Sequence, residues 1–515
     1  MTKSEKAAKS VIIIIIFTLG SKFLGFVREV LIAAKFGSGM GTDTFFVALT
    51  ATSLLASLLN TSIKTTIIPV LSEVEARESK QGKDNHTNNI LHIILGISFV
   101  IVLFGLILAP LCIKIIAPGF EGSQFELAVY LMRIGLPVMM FSGIVGVFRG
   151  YLQSELMFME SAATMFPFNF VYIFFLIFLS GLFGIKGLMV ASVLAVGSQV
   201  IIQIPGLRKA GYKYKYVLDI KDKYIRKILF LVPPVLLSVA VNDLNKIVDK
   251  ALASNLVTGS ISALNYSNRL KTFVLGVFVS AITTVIFPML SQEANKESLH
   301  DMKKVMGFGI NVILLITIPA TVGLVVLSKP LVRIAFERGA FDTLATSMTS
   351  GALVFYALGL VGMAMRTLLD RVYYSLQDTK TPLKNGAIAV GLNIILNLIL
   401  IRFMAHRGLA LATSIATVIA TILLYYGLEK KIGPLDTKRY INCGLKSLIA
   451  SAIMGIVVYV VYSGICRTIG GSFILELISL LIAIVIAAIL YFVLIYIFKV
   501  EEIRIAVAML KARLY

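Results

Sequence analysis

Ile63-Lys-Thr-Thr-Ile-Ile-Pro69-Val-Leu-Ser72 and Ile282-Thr-Thr-Val-Ile-Phe-Pro288-Met-Leu-Ser291 carry one pattern twice, 219 residues apart. Each closes a long apolar run. A second pair, Gly143-Ile-Val-Gly146 and Gly359-Leu-Val-Gly362, is offset by 216 residues, and an arginine follows each, Arg149 and Arg366. Two matches at nearly the same offset imply a chain built from two similar lobes.

The apolar runs between these landmarks fix the class. A bilayer core of roughly 30 Å needs about 20 mostly apolar residues per helix. Such runs fall at approximately 10–36, 44–71, 89–116, 125–153, 159–182, 185–206, 226–252, 261–290, 304–328, 347–376, 384–404, 408–428, 441–465 and 472–498. The expectation is an all-α integral membrane protein of about fourteen transmembrane helices. The repeat divides them into two six-helix lobes plus a C-terminal pair. Six is even, so both lobes begin on one side and repeat in parallel about an axis along the membrane normal. The expected divisions are 1–207, a basic linker at 208–225, 226–430, and 431–515 for the last two helices and tail.

Composition agrees. Of 515 residues, 58% are hydrophobic and only 15% charged, against roughly a quarter in soluble domains. The formal charge of +21 is split among hydrophobic spans with no basic domain, which argues against nucleic-acid binding. Alternate loops are basic: Lys3, Lys6 and Lys9; Arg77, Lys80 and Lys83; the run 208–227; Lys296, Lys303 and Lys304; Lys380 and Lys384; Lys430, Lys431, Lys438 and Arg439; and the tail with Lys499, Arg504, Lys511 and Arg513. The loops at 37–42, 118–124, 181–187 and 468–472 are short and charge-poor, while 329–342 is longer and mixed. This is the positive-inside alternation, and it places both termini in the cytoplasm. No small-residue cleavage site follows the first apolar run, which reads as a retained helix.

Catalytic signatures are missing. Cys112, Cys443 and Cys466 are scattered, as are His86, His92, His300 and His406, and no GxxxxGK[ST] loop is present. The chain reads as no enzyme and needs no bound cofactor. Its chemistry lies in charge inside the spans. Lys22, Arg28 and Glu29 share one side of the first helix, Asp43 opens the second, and Lys64 lies deep in it. Asp243, Lys246 and Lys250 lie on one face of the seventh helix; Arg269 and Lys271 are in the eighth, and Arg366, Asp370 and Arg371 in the tenth. A central charge costs roughly 2.5–3.5 kcal/mol on insertion scales, so this set should face a hydrated interior rather than lipid. Cations in excess suit an anionic solute, above all phosphate or pyrophosphate, because guanidinium forks match phosphate oxygens. Interfacial anchoring and structural pairing are the plainer readings of any single member. Asn393, Asn397, Thr413 and Asp243 could supply an oxygen-rich cation site; interhelical polar packing is the simpler alternative. An ion gradient, for example of sodium, or the membrane potential would then drive transport.

Several motifs resemble a known family. Gly25-Phe-Val-Arg28-Glu-Val-Leu-Ile-Ala-Ala-Lys-Phe-Gly37-Ser-Gly-Met-Gly-Thr-Asp43-Thr-Phe-Phe-Val-Ala48 is similar to the first-helix signature of the MurJ (MviN) lipid II flippases, of the multidrug/oligosaccharidyl-lipid/polysaccharide exporter superfamily. Gly259-Ser-Ile-Ser-Ala-Leu-Asn-Tyr-Ser-Asn-Arg269-Leu and Tyr373-Tyr-Ser-Leu-Gln-Asp378-Thr-Lys-Thr-Pro382 extend the likeness over essentially the whole chain. The resemblance implies a bacterial plasma-membrane flippase that moves the undecaprenyl-pyrophosphate-linked peptidoglycan precursor from the inner to the outer leaflet by alternating access; the expected working form is a monomer. It implies a cationic cavity with Lys22, Arg28, Glu29, Asp43, Lys64, Arg269 and Arg366 as substrate-binding residues, and an apolar groove at the last two helices. Lys22 and Glu29 stand where the family often has Arg and Asp, and Ala56 and Ser57 where some members carry arginines. The alternatives are a flippase for another polyprenyl-linked glycan and, against the excess of cations, a multidrug or cation antiporter.

Overall fold

The structure, a computed structural model, describes residues 3–294, 299–469 and 473–504; side chains are described outside 3–16, 58–66, 228–242, 280–281, 284–285 and 467–469. Among the described residues all regular secondary structure is helical. In order, α1 is Lys3–Phe36, α2 Met40–Glu78, α3 Lys80–Ile116 and α4 Gly122–Ser154, the last broken at Leu136 and Pro137. The stretch Phe158–Lys209 folds back at Gly184 into α5 (158–183) and α6 (185–209). Then come α7 Lys223–Ala253, α8 Ser260–Ala294, α9 His300–Val326 and a short helix, Ser328–Phe336. The pair Thr343–Leu358 and Leu360–Ser375 forms α10, bent by 46°. Lys380–Ile432 breaks at Ala405 into α11 (380–404) and α12 (406–432), before α13 Thr437–Ile469 and α14 Phe473–Ile497.

These fourteen segments match the spans expected from hydropathy. Among the described residues, seven stretches pass a strict length-and-apolarity test, or eight with bent α10 as one, and two of the seven are 52 and 53 residues long. Those two need about 80 Å of helix if straight, so each crosses twice. The folds-back have local causes. Gly184 has φ of 55°, which glycine adopts freely, and Ala405 is held at φ of 47°. Gly408 completes the second turn: a Cβ there would lie 2.4 Å from the Leu400 carbonyl oxygen.

The chain divides into two compact units, 1–262 with 339–341, and 263–338 with 342–515. In the first, α2 is the central element, packed on α3, α4 and α7, while α5 packs on α1 and α6. Ile67, Leu71, Ile90, Val147, Tyr151 and Leu207 fill one of its cores. Because α7 packs on α2 and α3, it lies in the first unit. In the second, Met306, Ile310, Leu368, Tyr373 and Leu424 join α9, α10 and α12. The C-terminal pair is anchored on α9 through Leu315, Met454, Leu480 and Tyr491, with the Tyr491 hydroxyl donating to the Leu315 carbonyl at 2.8 Å.

One local expectation fails. The basic loop at Arg77, Lys80 and Lys83 is no loop: α2 runs to Glu78 and α3 starts at Lys80, with Ser79 alone between them at φ of 97°. Lys83 is therefore helical and fully buried.

Candidate functional site

Arg28 is the most constrained of the expected site residues. Its guanidinium donates to Glu29 Oε1 at 2.7 Å and to Asn169 Oδ1 at 3.3 Å. Its face lies over Phe168 and Tyr172, 5.3 and 5.0 Å from the ring centroids. Asn169 is fixed in turn by donating to the carbonyls of Ser21 and Met165. The arginine side chain is 13% exposed, so a planar cation is presented in one orientation, with one carboxylate balancing it. Lys22, six residues earlier on α1 and half-buried, adds a further positive charge.

Asp43 serves a different purpose. Its carboxylate accepts from the Gly259 backbone at 2.7 Å and from the Ser262 backbone and hydroxyl at 2.7 and 2.5 Å. It thereby caps the first turn of α8, where backbone N–H groups have no intrahelical acceptor. Close backbone packing surrounds this cap. Gly37 and Gly339 have φ of 67° and 60°, and a Cβ on either would meet a carbonyl oxygen at 2.2 Å, that of Ala340 and of Ala34. With charge and lone pairs so engaged, Asp43 is placed to hold the helix start.

Asp243 accepts from the Ser57 hydroxyl at 2.8 Å and from Lys246 Nζ at 2.7 Å. Ser57 thus donates to this carboxylate from the position where the resemblance places arginine in some family members. The side chain of Lys64 lies outside the described residues.

In the second unit, Arg269 is exposed and Lys271 is buried, with Nζ 4.3 Å from the Tyr356 ring centroid. Arg366 is half-buried, 4.0 Å from Asp370. Its terminal nitrogen lies 3.2 Å from where a Cβ on Gly386 would stand, so the glycine lets the guanidinium rest against α11. Arg371 covers the Phe287 ring at 5.1 Å.

The expected cation ligands separate by unit. Asn393 Nδ2 donates to Thr413 Oγ1 at 3.3 Å and Asn397 Nδ2 to Asn393 Oδ1 at 2.8 Å, all in the second unit. Asp243 belongs to the first unit, and the Lys246 ammonium already balances it. The second-unit set offers neutral oxygens only, two of them already accepting from a neighbour, and so is a poor fit to a cation. No group of three His, Cys, Asp or Glu suited to a metal occurs among the described residues.

Sequence reasoning missed a polar network around the turn between α2 and α3. Lys83 Nζ donates to Glu75 Oε2 and Glu155 Oε1, both at 2.7 Å, and the Tyr151 hydroxyl donates to Asp84 at 2.7 Å. His86 sits between Glu78 and Asp222, each 2.9 Å from a ring nitrogen, and Lys223 pairs with Glu78 at 2.9 Å. Hydrogen bonds from Lys223 and His86 hold the Glu78 carboxyl at about 2. Asp222 also caps α7 by accepting from Tyr224 and Ile225. The density of Glu73, Glu75, Glu78, Lys80 and Lys83 beside a single serine was the available signal.

The comparisons with known proteins agree with one another. The family model described as lipid II flippase MurJ matches residues 32–480. A probable lipid II flippase MurJ of Vibrio cholerae is 34% identical over 448 residues, covering 83% of this chain and 84% of its own. One from Haemophilus influenzae is 30% identical over 492 residues, covering 92% and 96%. Among solved structures, a lipid II flippase MurJ in an inward closed conformation superposes with a TM-score of 0.80 at 26% identity, covering 94% of this chain and 99% of that one. An inward-facing multidrug transporter of the MOP superfamily reaches 0.65 at 17% identity, covering 81% and 98%, a likeness of fold alone. A match over most of the chain, at such identity and with the same helical architecture, establishes that this chain belongs to the lipid II flippase MurJ family.

Proposed function

We propose that this multi-pass inner-membrane protein flips lipid II, the undecaprenyl-pyrophosphate-linked peptidoglycan precursor, from the inner to the outer leaflet by alternating access. Family membership supports the reaction, and the fixed guanidinium of Arg28 is the observation that ties it to this chain. A fork seated against two neighbouring rings and fixed by a carboxylate loses little freedom on meeting phosphate oxygens. Arg269 and Arg366 are its proposed counterparts in the second lobe, with Lys22 and Lys64 adding charge and Glu29 setting the fork. Asp43 acts as a positioning residue through its cap on α8.

Both termini lie in the cytoplasm in this reading, in accord with the alternation of basic and charge-poor loops. The membrane potential resets the empty, cationic carrier. A sodium gradient is the alternative drive; activity unchanged on replacing sodium by choline would remove it. The protein works as a monomer, which native mass spectrometry in a mild detergent checks.

Complementation in cells depleted of their own flippase tests the site. Arg28→Ala, Arg269→Ala and Arg366→Ala should each fail to support growth at normal protein levels. Growth with all three would refute the assignment.

A further inference from the structure

On the first unit, away from Arg28, a cavity of 530 Å³ is lined by Pro110, Ser123, Glu126, Tyr130, Arg133 and Lys186, among others. It lies where α3 ends, α4 begins and the fold-back at Gly184 joins α5 to α6. Its cations are set by the backbone. Pro110 has no N–H, so the Leu106 carbonyl lacks its usual partner in α3. Arg133 Nε supplies that bond at 3.0 Å. One edge of the guanidinium is thereby fixed, and among the described residues no other acceptor is paired with its terminal amino groups. Lys186 Nζ stands 5.0 Å over the Tyr130 ring. Glu126, one carboxylate against two cations, leaves the pocket positive.

The surroundings say what sort of anion fits. Ile107 is 72% exposed, Leu182 79% and Phe183 60%. In a membrane protein such flanks face acyl chains, while Ser123 and Glu126 line the pocket from the start of α4. Cations beside a lipid-facing surface at a helix end call for a partner that brings its own hydrocarbon.

We propose that this pocket binds the phosphodiester headgroup of an anionic phospholipid, held by Arg133 and Lys186 beneath Tyr130, with its chains along the exposed apolar flanks. The site is separate from the Arg28 clamp. The orientation proposed above puts this pocket in the outer leaflet; the binding itself does not depend on that orientation.

Native mass spectrometry of the full-length protein, offered phosphatidylglycerol and phosphatidylethanolamine in equal amounts, tests it. Wild type should retain phosphatidylglycerol by about fivefold, the worth of roughly one basic residue beside an anionic lipid. Lys186→Gln, which leaves the Arg133 cap intact, should abolish the preference. Glu126→Gln should strengthen it, a gain that misfolding does not mimic. No preference in wild type, or an unchanged preference in Lys186→Gln, overturns the site. Displacement by millimolar inorganic phosphate, or stronger Lys186-dependent retention of undecaprenyl pyrophosphate, overturns the phospholipid assignment. Either result leaves the flippase reading untouched.

Discussion

Asp43 and Lys83 show how a buried charge in this chain becomes structural. Asp43 is 3% exposed and satisfies three donors at the start of α8. Asp43→Ala should cost about 1–3 kcal/mol, the range for stranding buried donors, and Asp43→Asn less. Thermal unfolding in detergent measures both. Lys83 has no exposed side-chain surface, yet Glu75 keeps 40% and Glu155 17%. Lys83→Met should therefore cost about 2–3 kcal/mol, below the 3–5 of a fully buried pair that loses one partner. Equal stability of mutant and wild type would show that the two carboxylates find water instead. Arg28 was legible in the sequence as a charge within a span. Its partners were not: Asn169 lies 141 residues away, and only packing of α1 on α5 brings them together. Asp43 was legible as a buried carboxylate, but its role as a cap depends on Gly259 and Ser262, which local pattern does not link to it.

The helices were the most legible elements, because bilayer thickness imposes a length and an apolar run that any sequence must display. The turns were less so. Ser79 alone separates α2 from α3, and a run of charges around it reads as a solvated loop until packing on α4 and the 208–222 segment is known. That junction and the turn between α10 and α11 carry a pH signature. Glu78 has its carboxyl pulled down to about 2 by Lys223 and His86, and Lys431 with Thr381 holds Asp378 well below the usual carboxylate range. A group depressed in the folded state contributes stability above its unfolded value and loses it as pH falls toward the folded one. Thermal stability should thus decline between about pH 4.5 and 2, and Glu78→Gln should flatten that limb. A limb of the same slope in the mutant would assign the acid sensitivity elsewhere.

At the scale of the molecule, the repeat at offsets of 219 and 216 residues and the match to the lipid II flippase MurJ family point to one architecture. The last two helices, outside the repeat, are tied to α9 by Tyr491 and by Glu502, which accepts from Asn311 and Arg439 at 2.6 and 3.0 Å. Vectorial work by a cationic carrier should depend on voltage, at about 2.3 kcal/mol per charge per 100 mV. Collapsing the potential in proteoliposomes should slow the cycle, and an unchanged rate would exclude voltage as the drive. The most direct measurement is leaflet-resolved translocation by the purified full-length protein, comparing lipid II with teichoic-acid and O-antigen type precursors. The expected result is rapid appearance of lipid II in the opposite leaflet, lost in Arg28→Ala and weak with the other lipids. Failure to move lipid II by a folded protein, or equal movement by wild type and Arg28→Ala, would contradict it.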